Sequence, residues 1–354
     1  MPFDTDTAAQ PVLLTSEHET MRREVLRGLR AAPPTLPFTY FYDAVGSALF
    51  DRITALGAYY PTRTETAILR EHGAAMAALV PDGAALVEYG AGSLVKTRLL
   101  LDHLPRVGAY VPLDVSREHL LAAADRLAAD YPHLRVEPLV ADYTVPVVLD
   151  GLDAGDAAPR VLFFPGSTIG NFSPEGAVAL LRRMADTAGP DGRLILGVDL
   201  RKDRETLEAA YDDPEGVTAA FNRNLLVRLN RDLGATFDMG DGPDGRPVWR
   251  HRAVWMPDAA EIGGEPVGRV EMHLVATGAQ TVEVAGERFT FAAGESIHTE
   301  SAHKYTPGGI DALALAGGWR VTDRWLDAEA RYSVQHLVRG DVDRRGGGGD
   351  GAPS

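Results

Sequence analysis

The chain has 354 residues, 45% of them apolar and 24% charged, enough for one large or two moderate domains with a hydrophobic core. Its formal charge of −15 argues against a nucleic-acid partner, since no lysine- or arginine-rich block offsets it. The absence of cysteine excludes disulfides and thiol catalysis, and no signal peptide or apolar run of about 18 residues is present, so a soluble cytoplasmic protein is expected.

In chain order, residues 1–15 carry little pattern and read as a disordered lead, and the glycine-rich tail at 342–354 reads the same way. Helical periodicity runs from Ser16 to Leu29, where Pro33, Pro34 and Pro37 follow, and a second helix covers Ala44 to Leu56. From Leu86 short apolar runs alternate with amphipathic segments. The runs are Leu86–Tyr89, Tyr110–Val115, Val136–Val140, Val161–Phe164 and Leu194–Val198. Helix-like stretches lie at Ser93–Leu104, Arg117–Ala129 and Pro174–Ala185, the last entered through a Ser173-Pro174 cap. Near-continuous apolar strands alternating with helices predict a parallel sheet covered on both faces.

After Asp199 the rhythm breaks. A helix over Arg204–Leu233, interrupted at Pro214, precedes strands near Trp249–Trp255, Arg269–Ala276 and Thr281–Phe291. A helix at Ile310–Ala316 and strands at Trp319–Leu326 and Ala330–Leu337 return to complete the first sheet. The reading is α/β: one domain at 62–199 plus 305–340, and a mixed α+β domain at 16–61 plus 200–304.

The first strand ends in Glu88-Tyr89-Gly90-Ala91-Gly92, a turn that brings backbone close to a ligand where a Cβ would collide. Such a turn serves NAD or S-adenosylmethionine. Val95 replaces the third glycine of the pyrophosphate fingerprint, which favours the methyl donor. Asp114, at the end of the second strand, stands where a carboxylate grips a ribose diol. Asp142 and Tyr143, after the third, suit an adenine amino group and ring. Beyond the fourth strand, Gly166, Gly170 and Asn171 present a carboxamide that can both accept and donate a hydrogen bond to a reacting amine. His298 and His303, five residues apart with no third ligand nearby, do not make a metal site, and none is expected.

FYDAVGSALFDRIT, YYPTRTE, FFPGSTIGNFSP, YDDPEGVTAAFNRNLL and GESIHTES-x-x-KY together resemble the histidine N-α-methyltransferases of ergothioneine biosynthesis, over about Ser16 to Gly340. Fungal enzymes that methylate tryptophan derivatives belong to the same wider family. The resemblance implies a Rossmann-like methyltransferase domain and a substrate domain made of the N-terminal helices and an insertion. It implies S-adenosylmethionine as methyl donor, bound by Tyr42, Gly90, Gly92, Lys96, Asp114, Asp142 and Tyr143. Tyr59, Gly166, Asn171 and Tyr211 would hold the amino and carboxylate groups of histidine, with Asn171, Tyr59 and Tyr211 at the reacting amine. Met272 and Glu300 would lie beside the imidazole. The family's usual serine two residues after that glutamate is here Ala302, which opens the question of substrate identity. The expected product is the trimethylated betaine hercynine, made by a monomer acting on a free amino acid. Other readings are methylation of another amino acid or aromatic amine, a nicotinamide oxidoreductase, and a silent amino-acid sensor.

Overall fold

The computed structural model describes residues 10–92, 94–147, 149, 158–242 and 245–340. Helices α1 (Gln10–Leu29), α2 (Ala44–Ala55) and α3 (Tyr60–Ala77) open the chain. An alternating segment follows, with β1 (Ala85–Tyr89), α4 (Val95–Leu101), β2 (Ala109–Asp114), α5 (Arg117–Asp130), β3 (Arg135–Val136) and β4 (Leu139–Val140). It continues through β5 (Arg160–Phe164), α6 (Pro174–Ala188) and β6 (Arg193–Asp199). Next come α7 (Arg204–Tyr211), α8 (Val217–Leu233), β7 (Trp249–Ile262), β8 (Glu265–Ala276), β9 (Gln280–Val284), β10 (Glu287–Phe291) and β11 (Ser296–Lys304). Finally α9 (Pro307–Ala316) leads to β12 (Trp319–Leu326) and β13 (Tyr332–Arg339).

Two compact units divide these elements. The first takes the chain up to Tyr59 with Asp203–Trp255 and Val270–Ser301; the second takes Tyr60–Lys202, Met256–Arg269 and the chain from Ala302 onward.

The second unit is built on a sheet of order β12-β13-β6-β5-β1-β2-β3, with β4 also pairing β2. Strands β1 to β6 run parallel, and β13 enters antiparallel to both β6 and β12. Strand side chains alternate between two cores, as a sheet buried on both faces requires. Val87, Leu162, Phe164, Leu194, Leu196 and Val198 meet α6 and α9 on one face. Leu86, Val161, Phe163 and Ile195 meet α3, α4 and α5 on the other. The strand order turns back between β1 and β5, and the crevice beyond the carboxyl ends at such a switch point is where open α/β sheets bind ligands. Ser173 caps α6 through the Gly176 N–H at 3.1 Å, with Pro174 in the first turn, as the sequence predicts.

In the first unit α2 packs on α8, and Phe41 stacks on Phe221 with ring centroids 4.6 Å apart. Strands β7 and β8 form a long hairpin turning at Gly263-Gly264, both at positive φ, and pair in the order β11-β8-β7. Strands β9 and β10 form a separate hairpin.

Several elements differ from their sequence-based expectation. Helix α3 has no apolar stripe to announce it, because it buries Thr64, Glu65, Thr66 and Gly73 beside its hydrophobic residues. The strand expected at Val136–Val140 divides into β3 and β4 around Pro138, which has no N–H for a ladder. The strand expected at Thr281–Phe291 is the β9–β10 hairpin, reversed at Ala285-Gly286 with φ of 49° and 85°. Strands β7 and β8 run past their predicted ends, and their tip, Met256–Arg269, groups with the second unit rather than with the insertion at 200–304. Helix α1 starts at Gln10, inside the segment read as disordered; residues 1–9 and 342–354 lie outside the described residues, as does Ser93.

Candidate active site

In the second unit the turn after β1 is fixed by β2. The N–H groups of Gly90 and Ala91 both donate to the Leu113 carbonyl, at 2.9 and 3.0 Å. The Gly92 N–H donates to Asp114 Oδ2 at 3.2 Å, and the Ser116 N–H to Oδ1 at 2.8 Å. Gly90 and Gly92 have φ of 70° and 54°, the left-handed region that favours glycine. Asp142 is exposed and accepts the Thr144 N–H at 2.8 Å. The Tyr143 ring lies over this turn, 3.6 Å from where a Gly90 Cβ would stand, and packs on Tyr89 and Phe164. Burial, with the charges of Asp114 and Asp142, raises its phenol well above the ordinary value, so Tyr143 stays neutral. Two carboxylates with remaining acceptor capacity, a glycine cradle and a neutral aromatic face suit a nucleoside with a ribose diol.

Beneath the turn, Glu88 is buried and accepts hydrogen bonds from the Thr97 and Tyr110 hydroxyls. Desolvation raises its pKa to about 7 despite those bonds and the nearby Lys96.

The turn after β5 carries Asn171. Gly166 and Ser167 sit at φ of 84° and 57°, and residues Thr168–Asn171 form a 3-10 turn. One buried carboxylate and one buried main-chain N–H hold this turn. Glu65, from α3, accepts the Gly166 N–H with both oxygens, at 3.0 and 2.9 Å, and pairs with Lys96 Nζ at 2.5 Å. Gly197 is a glycine because a Cβ there would collide with Glu65 Oε1. Asp199 donates its N–H to Ser167 Oγ at 2.9 Å. Its carboxylate takes Lys202 and Lys304, each at 2.6 Å, and the Tyr60 hydroxyl at 2.7 Å. Burial alone would raise the Asp199 pKa, but the two ammonium groups hold it below the ordinary value. The ring of His303, in β11, bonds the Gly170 carbonyl through Nδ1 at 2.8 Å. Asn171 itself is half-buried, and among the described residues its carboxamide has no protein partner.

In the first unit, Tyr59 and Tyr211 pack edge to face, 6.1 Å between centroids, and Phe50 lies edge-on to both Tyr59 and Tyr42. Met272 is buried in β8, and its carbonyl accepts the Thr299 hydroxyl at 3.0 Å. Glu300 follows Thr299 in β11 and is half-exposed. Ser301 Oγ is 3.0 Å from His298 Nε2, an i,i+3 pair that a regular strand would put on opposite faces, so β11 is irregular here. Ala302 is buried and belongs to the second unit.

The predicted residues thus fall into two sets. The second unit holds Gly90, Gly92, Lys96, Asp114, Asp142, Tyr143, Gly166, Asn171 and Ala302; the first holds Tyr42, Tyr59, Tyr211, Met272 and Glu300. Sequence reasoning missed Glu65, Asp199, Lys202 and Lys304. Glu65 closes the YYPTRTE motif and Asp199 ends β6, and those positions were the signals available. Asp213 accepts the N–H groups of Val217 and Thr218 at the start of α8. Asp212 Oδ1 lies 3.9 Å from His251 Nε2. Among the described residues no group of three or more histidines and carboxylates is arranged to hold a metal, and no helix is long and apolar enough to cross a membrane.

A family profile described as SAM-dependent histidine-specific methyltransferase matches residues 21–339. A histidine N-alpha-methyltransferase of Mycolicibacterium smegmatis is 40% identical over 335 residues, 92% of this chain and 96% of that protein. One from Mycobacterium tuberculosis is 40% identical over 88% of this chain and 92% of its own length. An N-methyltransferase of Aspergillus flavus is 30% identical over 87% of this chain and 82% of its own. With a glycine turn at the switch point of its sheet and a family match over residues 21–339, the chain belongs to the S-adenosylmethionine-dependent, histidine-specific methyltransferases.

Proposed function

We propose that the chain methylates the α-amino nitrogen of L-histidine three times, giving the betaine hercynine of ergothioneine biosynthesis. The supporting observation is the Asn171 carboxamide, held on a turn fixed by the buried Glu65 carboxylate and the Asp199 N–H, with both its donor and its acceptor uncommitted to protein among the described residues. S-adenosylmethionine, when bound, supplies an electrophilic methyl on a sulfonium sulfur. The chain's own part is to bind, orient and exclude water, and alignment alone can account for most of the rate.

Gly90, Gly92, Asp114, Asp142 and Tyr143 are assigned to the nucleoside, with Lys96 and Tyr42 completing the donor site. Asn171, Tyr59 and Tyr211 are assigned to the amino and carboxylate groups of histidine. Gly166 serves through its carbonyl and its missing side chain, since Glu65 takes its N–H. Glu300 accepts an imidazole N–H and Met272 flanks the ring. The reacting amine has a neutral fraction at pH 7, so no strong base is required, and the proton leaves to water, directly or relayed through a tyrosine hydroxyl that gives up its own proton as it takes the amine's. Ala302 removes one hydroxyl from the imidazole side, and the neighbouring Ser301 hydroxyl is engaged with His298. The reaction is assigned to the cytoplasm, in keeping with a cysteine-free chain, and to the monomer.

Histidine incubated with the protein and excess S-adenosylmethionine should gain one, two and then three methyl groups by mass spectrometry, all on the α-nitrogen by NMR. Methylation of a ring nitrogen, or unmodified histidine, would overturn the reading.

A further inference from the structure

Tyr211 is the last residue of α7, and its carbonyl is among the terminal carbonyls that no intrahelical N–H reaches. Asp212 then leaves the helix at φ −144° and ψ 67°. An unsupported tyrosine at such an end would fray. Here the donor is His251, in β7, whose Nε2 is 2.7 Å from the Tyr211 carbonyl oxygen. Its other nitrogen, Nδ1, is 2.8 Å from Asn222 Nδ2 on α8. An amide nitrogen can only donate, so Nδ1 accepts and the proton sits on Nε2, where it is given to Tyr211. The same Asn222 amino group donates to the His273 carbonyl of β8 at 3.2 Å. The chain Asn222–His251–Tyr211 therefore ties the end of α7 to α8, β7 and β8 through neutral hydrogen bonds.

We propose that His251 is a positioning residue for Tyr211, fixing through its main chain the placement of a ring that binds the amino-acid substrate. The proposal rests on the assignment of Tyr211 to the substrate given above. Tyr59, which packs edge-on against that ring, depends on the same support. The His251 side chain is 1% exposed. Its burial holds the ring below the ordinary histidine pKa, against the pull of Asp212, the Tyr211 carbonyl and Asp213, and His273 adds to the lowering. The neutral tautomer that the geometry requires is thus the one the surroundings favour.

Two amide variants separate positioning from space-filling. In His251→Gln the side-chain amide reaches the place of Nε2 and keeps the bond to Tyr211. In His251→Asn it reaches only the place of Nδ1 and loses that bond. We expect His251→Asn to raise the histidine KM about tenfold, as misplacement of one substrate-holding group does, and His251→Gln to stay within about twofold of wild type. Calorimetric titration of S-adenosylhomocysteine should give the same Kd for both variants and wild type. Equal KM changes in the two variants, or a parallel loss of S-adenosylhomocysteine affinity, would mean that His251 is merely structural. Tyr211→Phe is the control for the underlying assignment. If it leaves histidine kinetics unchanged, Tyr211 is not a substrate residue and the proposal falls with that assignment. If it raises the KM while His251→Asn behaves as wild type, the assignment of Tyr211 stands and the positioning role is refuted.

Discussion

The two units hold their site residues by opposite means. In the second, the turn after β1 is held by the Leu113 carbonyl and the Asp114 carboxylate, and the turn after β5 by the buried Glu65 carboxylate, paired with Lys96, and by the Asp199 N–H. In the first, Tyr42, Tyr59 and Tyr211 stand in an edge-to-face aromatic array with Phe50, and the end of α7 is held by a neutral imidazole. Under the proposed assignments, the fixed turns carry the nucleoside cradle and Asn171, while Tyr59 and Tyr211 of the aromatic array meet the substrate amine. A methyl donor presents the same groups in every round, so its cradle gains from a backbone fixed in advance. An amine that gains methyl groups changes from a hydrogen-bond donor into a bulky cation. Aromatic rings with hydroxyls meet both states, by hydrogen bond first and by cation–π attraction later.

If the carboxamide of the second unit aligns the amine and does not hold the donor, Asn171→Ala should lower kcat about 100-fold with S-adenosylhomocysteine affinity unchanged. A fall in that affinity with intact turnover at saturating donor would move Asn171 to the nucleoside.

The buried charge of the second unit also has a pH signature. Glu88 titrates at about 7 in the fold against an ordinary value of 4.5, so its contribution to stability is fully present below about pH 4.5. That contribution is lost as pH rises through about 7 and amounts to about 3 kcal/mol. Glu88→Gln, neutral at every pH, should melt above wild type at pH 8 and beside it at pH 5. An equal difference at both pH values would place the effect in packing instead.

In the first unit, Glu300→Ala should weaken histidine recognition by about 1.5–3 kcal/mol, the worth of a hydrogen bond to a charged group. Larger aromatic amino acids should become relatively better substrates. Unchanged histidine kinetics would remove Glu300 from the site. Ala302→Ser, restoring the hydroxyl usual in the family, should tighten histidine binding by about 0.5–1.5 kcal/mol in calorimetry with S-adenosylhomocysteine bound. Weaker binding would mean that Ala302 makes room for a different amino acid.

The parallel core was legible because β1, β5 and β6 are buried on both faces and so form near-continuous apolar runs, broken in β1 only by Glu88. The placement of Gly90, Gly92, Asp114 and Asp142 at the carboxyl ends of the strands was legible because each follows an apolar run, at the edge where open α/β sheets form their crevice. Helix α3 was not, because Thr64, Glu65 and Thr66 are buried for their polar bonds, and periodicity registers only apolar burial. The β9–β10 hairpin was hidden by a turn with Ala285 at positive φ, where glycine or asparagine is the usual signal. Glu65 and Asp199 are distant in sequence from the turn they support, 101 and 32 residues from their partners there, so no local pattern links them. Tyr59 and Tyr211 came only from family resemblance, since a lone tyrosine carries no pattern of its own.

An equimolar mixture of the free amino acids, incubated with the protein and S-adenosylmethionine and followed by mass spectrometry, tests the reading most directly. Histidine should be depleted before any other amino acid, and its trimethylated form should accumulate with S-adenosylhomocysteine in a ratio of about one to three, as three single transfers require. Depletion of a different amino acid, or S-adenosylhomocysteine formed with histidine intact, would contradict it.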